Sequence, residues 1–313
     1  MKLTRRQVIL VKAEPTYKAE VTPTGADAIL VNAGSSLDVA AEEIKRNNLR
    51  DTMSPMGHLV ASQVVNLKIS TELRGGGVAS TDILPPEYAE LLLACAMKET
   101  GDATTGWKYA PVSDPAKMGS CTIWWYQDGI LHKAIGCMGT WSINTTVNQI
   151  GTIEFDMVGL YAPPEDQTMP TPTVLDLYPP ICAGIQLKLG TFTPVLSSFQ
   201  LALGNQVSQR KDLNASAGLV GVTVQDREPS GSIDPEVDAL ANFDPWSAWS
   251  AGTKVEITAQ LGTAKGNTIK ISVPKAQYGA PKYQDRDGIM SYQMAFTPTI
   301  VDSGDDELQL EYV

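Results

Sequence analysis

Histidine, the side chain most often used for acid–base catalysis and zinc binding, occurs only twice in this sequence, as His58 and His132. His58 lies in a loop-like stretch and His132 in a strand-like stretch, and nothing in the pattern places them together. The sequence also has no GxSxG, GxxxxGKS/T or HExxH motif. We therefore predict no catalytic residue, no metal site and no cofactor, and interpret both histidines as surface or interface polar residues.

An acidic cluster near the C-terminus offers the oxygen ligands that Ca²⁺ prefers. It is the segment Asp302–Glu307, which reads DSGDDE and lacks the spacing of an EF-hand loop. A solvated acidic turn is the alternative interpretation. Carboxylate pairs leave little trace in a sequence, so a polysaccharide-active β enzyme with two carboxylates about 5 to 10 Å apart stays open as a further alternative. The lack of motifs favours a structural or binding role over an enzyme.

The four cysteines are too few for a disulfide scaffold, and none forms a CxxC motif. They are Cys95, Cys121, Cys137 and Cys182. Cys121 and Cys137 flank a predicted hairpin whose turn lies near Asp128-Gly129, within one residue of cross-strand register. They are either buried free thiols, which pack as small apolar groups, or a bridge across a β-bulge.

The charge balance is acidic, because 24 Lys and Arg stand against 35 Asp and Glu, a formal net charge of −11. Phosphate recognition requires a basic surface, so this composition argues against a surface that binds nucleic acid. The chain has 313 residues, 43% of them hydrophobic, which suits two domains of about 150 residues. No stretch reaches the roughly 18 apolar residues of a membrane span, and the N-terminal apolar run is too short for a signal peptide. We expect a soluble product made in the cytoplasm.

Two segments, at the middle and near the end of the chain, alternate apolar and polar residues. They are Gly151–Tyr161 (GTIEFDMVGLY) and Gly288–Thr297 (GIMSYQMAFT). Such alternation predicts a β-strand with one face on a core and one in water. In the first segment the predicted dry face holds Ile153, Phe155 and Met157, and the wet face holds Thr152, Glu154 and Asp156. We expect the prolines that follow each segment to end these strands: Pro163, Pro164 and Pro298.

The elements before these two strands also repeat. Ser35–Val39 corresponds to Ser197–Leu201, and Lys45–Leu49 corresponds to Gln209–Leu213, at nearly constant spacing. Six elements in the same order indicate duplication of one fold. Between the copies, six prolines in Ala162–Pro180 predict an extended linker. We therefore predict a mainly β protein with two tandem copies of a β-sandwich or barrel, residues 1–162 and 181–313, joined by a Pro-rich linker at 163–180.

Each predicted domain has one helical element and one long charged loop. Pro86–Lys98 has an apolar stripe at helical spacing and predicts a helix packed on the sheet. The corresponding Phe243–Ser250 contains Pro245 and predicts only a shortened helix or helical turn. Glu42–Gly57 and Gln209–Gly218 show neither period and predict loops. A loop as long as Glu42–Gly57 is unusual in a compact domain and suggests a function.

A set of segments spread over nearly the whole chain carries a family resemblance. The segments are Thr22–Leu30 (TPTGADAIL), Gly129–Ser142 (GILHKAIGCMGTWS) passing into GTIEFDMVGLYAPP, Leu201–Val207 (LALGNQV), Gln225–Ile233 (QDREPSGSI), Gly262–Gln277 (GTAKGNTIKISVPKAQ), and the closing DGIMSYQMAF and SGDDELQL. Together they resemble the major tail tube proteins of long-tailed, siphophage-type bacteriophages, in the two-domain version.

The resemblance implies a function without chemistry. Tail tube subunits form rings in which the sheets of neighbouring subunits join into a continuous inner β-barrel, and stacked rings form the conduit for the genome. Single-domain members form hexameric rings, so a chain with two copies of the fold implies a homotrimeric, pseudo-hexameric ring. The implied partners are further copies of the chain, a tape measure protein, and tail terminator and tip proteins, while DNA passes through the lumen without specific binding. The implied location is the virion tail, which is assembled in the host cytoplasm without contact with a membrane. The alternative function is that of a tail-tip or baseplate adaptor or binding module.

On this interpretation the two charged loops are candidates for contact with the next subunit or ring, and mobile solvent loops are the alternative. The candidate contact residues are Glu42, Glu43, Lys45, Arg46, Arg50, Arg210, Lys211 and Asp212. Arg46 and Arg210 stand at matching positions and are the first choice. Glu154 and Asp156 are the lumen-facing candidates, with the outer surface as the alternative. A net negative wall would repel DNA phosphates and let a genome slide.

Overall fold

Antiparallel β-strands form most of the structure, which confirms the predicted mainly β fold. The structure is a computed structural model that describes residues 2–215 and 217–313, so Met1 and Ser216 lie outside the described residues. The N-terminal strands are β1 (Gln7–Ala13), β2 (Ala28–Ile29), β3 (Ser36–Lys45), β4 (His58–Glu72), β5 (Val78–Ala79), β6 (Asp82–Ile83), β7 (Met97–Asp102), β8 (Gly106–Pro111), β9 (Cys121–Gln127), β10 (Ile130–Thr146) and β11 (Thr152–Asp166). The C-terminal strands are β12 (Gln186–Leu189), β13 (Ser198–Ala202), β14 (Asn205–Lys211), β15 (Leu219–Arg227), β16 (Ser230–Ile233), β17 (Lys254–Leu261), β18 (Ile269–Tyr278), β19 (Lys282–Arg286), β20 (Ile289–Pro298) and β21 (Gln309–Tyr312). The helices are α1 (Ala89–Ala94), α2 (Pro245–Ser250) and a 3-10 turn at Gly25–Asp27.

The main strands of the N-terminal half lie in the order β1–β9–β10–β11–β4–β3, each pair antiparallel. The predicted hairpin between β9 and β10 is confirmed. Its turn residues Asp128 and Gly129 both have positive φ. That conformation matches the right-handed twist of the flanking strands, and glycine adopts it without steric cost.

The C-terminal half has the same order of neighbours, β12–β17–β18–β20–β16–β13. Here the counterpart of the long strand β10 is split in two. β18 pairs with β20 only over residues 276–278, and β19 then continues along β20. The shared order supports the predicted duplication, which itself stays a prediction.

Two β-ladders join the halves. Residues 142–146 at the end of β10 pair with β13, and β21 lies between β18 and β8. The largest core cluster also draws on both halves, from Trp141 and Phe155 to Phe199 and Tyr312. Strands of the two halves pair with each other across the predicted division into residues 1–162, 163–180 and 181–313. The division into two domains therefore stays a prediction.

The prolines after Tyr161 do not end β11, contrary to expectation. β11 continues to Asp166 and still pairs with β10, with a register shift where Pro163 and Pro164 stand. β4 has already left the other side of β11, because their last pair is Leu160 with Val64. Proline has no N–H to donate and is tolerated at a bulge on such an open side. The segment without helix or strand is therefore shorter than predicted, residues 167–180.

A buried ion pair holds part of this segment against the N-terminal half. The guanidinium group of Arg74, whose side chain is 4% exposed, lies 2.7 Å from the Glu87 carboxylate. It also donates to the carbonyl oxygens of Leu175 and Leu177, and Glu87 accepts from the N–H of Leu175. Buried charges require such partners, and here the partners fix the path of the linker.

α1 is shorter than the helix predicted at Pro86–Lys98. The predicted apolar stripe is nevertheless buried against the sheet: Tyr88, Leu91, Leu92 and Cys95. The helix stops before its predicted end because Ala96 takes a left-handed conformation with φ 54°, after which Met97 begins β7.

α2 confirms the shortened helix predicted at Phe243–Ser250. Asp244 caps it by accepting from the backbone N–H of Ser247, and Pro245 stands in the first turn, where no N–H partner is needed. Both helices are six residues long, so only the first one falls short of its prediction.

Both segments predicted as charged loops are partly strand. β3 extends to Lys45 and β14 to Lys211, so the turns are limited to residues 46–57 and 212–218, the second including the undescribed Ser216. We name β3–β4 with its turn the first arm, and β14–β15 with its turn the second arm. The alternation fails towards the tips because both faces of the arms meet water there, so neither face requires apolar residues.

Candidate assembly surfaces

An eight-stranded antiparallel sheet runs through both halves in the order β3–β4–β11–β10–β13–β16–β20–β19. One face is buried in the core, with side chains at most 2% exposed: Leu67, Trp141, Phe155, Phe199 and Phe296. The opposite face carries side chains such as Ser142, Asn144, Gln200 and Ser232, and we name it the polar face. The central strands of the sheet therefore have one dry side and one hydrated side.

Glu154 and Asp156 lie on the polar face, beside Lys68 of β4. The Lys68 Nζ is 3.0 Å from the Glu154 carboxylate, and Asp156 stands opposite Lys68 in the ladder. A hydrogen bond to Glu154, reinforced by both carboxylate charges, raises the pKa of Lys68. The prediction of Glu154 on the wet face is consistent with this placement. Sequence reasoning missed Lys68, although the alternation along its own strand was a signal.

Acidic groups outnumber basic ones on the central strands of the polar face. There β4 and β11 carry Glu72, Glu154 and Asp156 against Lys68. The side chains of Glu154 and Lys68 remain 30% and 49% exposed, so water screens their attraction. The centre of the polar face is therefore hydrated and net negative, and such a surface repels polyanions.

An ion pair holds the two arms side by side. Lys211 of the second arm lies 2.7 Å from Glu42 of the first arm, which also accepts from the Ser62 hydroxyl. The hydrogen bond from Lys211 lowers the pKa of Glu42. The structure thus brings together two of the predicted contact residues, and they contact each other within one chain.

A buried carboxylate supports the second arm close to its turn. Glu14 accepts four hydrogen bonds, from the hydroxyls of Ser120 and Thr122 and the backbone N–H groups of Lys18 and Gly136. It thereby orders the segment that carries Tyr17 and Lys18. The Tyr17 hydroxyl accepts from the N–H of Val222, and the Lys18 Nζ donates to the carbonyl of Val220. Val222 pairs with Gln209 and Val220 follows the turn, so the N-terminal half holds the second arm close to its tip.

The other predicted contact residues do not converge. Lys45, Arg46 and Arg50 are exposed at the tip of the first arm, and Arg210 is exposed on β14. None of these four makes a salt bridge with another residue in the part of the chain that the structure describes. Glu43 lies 3.6 Å from the His58 Nε2, and Asp212 accepts from the N–H of Asn214 within its own turn. The tips thus present basic groups that are available to another molecule.

Large apolar side chains are exposed at the same tips, and sequence reasoning missed them. Leu49 and Met53 are fully exposed in the first turn, as is Leu213 in the second. More than half of each of three further side chains is exposed along the first arm: Ile44, Leu59 and Val60. Apolar residues inside a charged loop were the signal. An exposed apolar patch bordered by charges is typical of a protein–protein contact.

The residues considered for chemistry are either far apart or already bonded. His58 begins β4 and His132 lies on β10. Asp305 and Glu307 both bind the guanidinium group of Arg227, at 2.9 and 2.6 Å. Among the described residues, no group of three or more His, Cys, Asp or Glu side chains is arranged to hold a metal ion. The acidic segment therefore serves as a bonded turn.

All four cysteines are free and buried. Cys121 and Cys137 stand opposite each other on β9 and β10, beside a register shift. The β-bulge across which a disulfide was considered is therefore present. Burial, followed by contact with Cys137, raises the pKa of the Cys121 thiol. Of the two interpretations left open by the sequence, the structure has the unbridged thiols.

One family model covers nearly the whole chain. It is described as "Phage tail tube protein" and matches residues 4–298, a range that includes both arms and all eight strands of the sheet. No curated protein matches the chain. Within the described residues, no helix combines the length and apolarity needed to cross a membrane.

Proposed function

Because the chain belongs to the phage tail tube protein family, we propose that this structural protein of the virion tail assembles into stacked rings that form the tube through which the genome leaves. The observation that carries the proposal is the eight-stranded sheet with a buried face, a polar face and, at each end, a strand whose outer side pairs with none of the described residues. Such a sheet can form one segment of a tube wall if strands of neighbouring subunits pair with its two edges.

The ring in this proposal contains three chains. Each chain supplies two groups of four strands, one from each half, in the same order of neighbours. Three chains therefore supply six such groups, which gives a pseudo-hexameric wall. Repetition of one head-to-tail interface closes such a ring.

The polar face lines the lumen in this proposal, with Glu154 and Asp156 towards the DNA. The buried face cannot take this position because its side chains form the protein core. Net negative charge on a hydrated wall repels the phosphates, so DNA passes without specific binding. The net charge of −11 for the whole chain supports the same interpretation.

The arms make the contacts to the next subunit or ring in this proposal. Their tips combine the exposed apolar side chains of Leu49, Met53 and Leu213 with the basic groups of Arg46, Arg50 and Arg210. Apolar centres give an interface most of its stability, and the charges around them select the partner. The rest of the chain is acidic and offers the complementary charge.

The further partners are a tape measure protein inside the tube and terminator and tip proteins at its ends. Assembly takes place in the host cytoplasm, and the product is part of the virion. The protein acts by its shape and charge, without catalysis and without a cofactor.

Electron microscopy of the purified chain tests the proposal. We expect rings or hollow tubes in negative stain, and three subunits per ring in native mass spectrometry. A chain that stays monomeric at high concentration would overturn the proposal. Discrete assemblies that never stack would instead indicate a tail-tip or baseplate adaptor.

A further inference from the structure

The eight-stranded sheet ends in two edge strands, β3 and β19, whose outer sides pair with nothing among the residues that the structure describes. β3 is ten residues long and β19 is five. Each exposes a large side chain, with Val39 39% and Tyr283 59% exposed. An unpaired edge presents free N–H and C=O groups, which can form hydrogen bonds with another strand. The two edges therefore need either protection or a partner.

The chain contains one example of how two such edges join. In the middle of the sheet, residues 142–146 of β10 pair with β13, and this ladder links the four N-terminal strands to the four C-terminal strands. β13 has the same place in its half as β3, because each pairs with the neighbour of the central strand. β19 has the same place as the end of β10, because each pairs with the central strand next to a hairpin turn. The free edges β19 and β3 are thus counterparts of the two strands that join inside the chain.

The halves can be aligned residue by residue on their central strands, β11 and β20. Met157 of β11 lies opposite Leu67, and Met294 of β20 lies opposite Ile233. Both pairs lie on the buried face, and all four side chains are at most 2% exposed. Each methionine also stands six residues after the glycine that begins its segment, Gly151 or Gly288. The two methionines therefore mark equivalent positions, from which the ladders can be counted in both directions.

This alignment gives a register for β19 against β3. Ser142 of β10 corresponds to Gln284 of β19, and Ala202 of β13 corresponds to Ala40 of β3. Ser142 and Ala202 are direct partners in the ladder inside the chain. Equivalent joining would therefore place Gln284 of one copy opposite Ala40 of a second copy.

We propose that β19 of one copy pairs antiparallel with β3 of a second copy, with Gln284 opposite Ala40, Arg286 opposite Asp38 and Lys282 opposite Glu42. This inference rests on the proposed function and adds the strands, the register and the charge pairs of the joint. Antiparallel partners lie on the same face, so opposite charges at these places stabilise the pairing.

Charge complementarity argues for a second copy as the occupant. β19 brings two basic residues to the face on which β3 brings two acidic residues, and Lys282 makes no salt bridge with any described residue. Glu42 is 55% exposed although it binds Lys211. Arg286 lies 3.0 Å from Asp234 and 3.7 Å from Glu236, and its guanidinium group has five N–H donors in all. Each chain has one edge of each kind, so the same joint can repeat around a ring.

A cysteine pair placed at the proposed register tests the joint directly. In the variant Ala40→Cys with Gln284→Cys, treatment of assembled tubes with diamide should give disulfide-linked dimers and trimers on a non-reducing gel. The four native cysteines are buried, and each single variant measures their background. The matched control is Val39→Cys with Gln284→Cys, which places the two thiols on opposite faces.

Each result of this test has a defined meaning. Linked species from the first pair, with at least tenfold less from the control, support the register. Equal linking by both pairs overturns the register, and tubes without linking overturn the joint while the tube function stands. Absence of tubes from the unmodified chain would contradict the proposed function itself.

A charge exchange tests the Lys282–Glu42 contact separately. We expect Glu42→Lys to abolish tubes and Lys282→Glu in the same chain to restore them. The control is Glu42→Lys with Lys211→Glu, because Glu42 also binds Lys211 within the chain. Restoration by the Lys211 change alone would assign the effect of Glu42 to the pairing of the arms and overturn the proposed charge pair.

Discussion

Single residues in this protein act mainly through their place on a surface. Glu154, Asp156 and Lys68 share the polar face, yet their ion pair is open to water and contributes about 0 to 1 kcal/mol to folding. These three residues act mainly by setting the charge of the polar face, which decides whether the face attracts or repels a polyanion such as DNA. A structural protein of the virion tail is therefore best tested by changes of charge sign and by changes of exposed apolar area.

Reversing charge on the polar face should trap DNA without preventing assembly. In Glu154→Lys with Asp156→Lys, each substitution changes the charge by two units, so the face becomes basic and binds phosphates in a salt-dependent way. We expect tubes of unchanged diameter and slower DNA ejection from reconstituted particles. The neutral variant Glu154→Gln with Asp156→Asn controls for loss of the Lys68 contact. Ejection at the normal rate from the lysine variant would count against a lumen position for these residues.

Loss of Arg74 should destabilise the folded chain. Arg74→Ala leaves the Glu87 carboxylate buried without its cation and releases the linker carbonyls, a cost of about 3–5 kcal/mol. Urea unfolding of the variant measures this cost. Lys117→Ala is the control, because the Lys117–Asp114 pair is exposed to water and its loss should leave the free energy of unfolding nearly unchanged. Equal effects of the two substitutions would show that the buried pair does not hold the linker.

At the scale of elements, the arms should matter for assembly and little for folding. In Leu49→Ser with Met53→Ser, two fully exposed side chains lose apolar area that is not buried in the free chain. We expect an unchanged melting temperature together with a loss of tubes in electron microscopy. Ile300→Ser is the control, since Ile300 is 54% exposed outside the arms. Normal tubes from the double variant would contradict a contact role for the first arm.

Strands buried on one face were predictable from the sequence, because burial imposes a two-residue period. The alternation of Ile153, Phe155 and Met157 gave β11 and its dry face correctly. The ends of elements were not predictable in the same way. The continuation of β11 past Pro163 depends on β4 having left that side, and the early end of α1 depends on the backbone of Ala96. Both are tertiary effects that the local pattern does not contain.

The candidate contact residues show the same limit. The two charged segments were recognised as unusual, and the basic tips are exposed as expected. Lys211 and Glu42, however, bond to each other, because the fold brings the two arms together from positions far apart in the chain. The exposed side chains of Leu49, Met53 and Leu213 follow no period, and the one signal in the sequence is that they are apolar residues within charged segments.

The two halves form one continuous sheet and share one core. The repeated order of strands explains why the two long segments at the middle and near the end of the sequence look alike, although the duplication stays a prediction. One family model matches residues 4–298 and so covers both halves together. The two halves together make the unit that the proposed ring repeats.

The β10–β13 ladder inside the chain has a consequence for the kinetics of assembly. This joint forms between tethered strands, at an effective concentration in the millimolar range, and loses no translational freedom of separate molecules. In a ring of three chains, only three joints then depend on subunit concentration. A covalent link between the halves thus lowers the order of the assembly reaction and leaves fewer partial rings from which subunits can be lost.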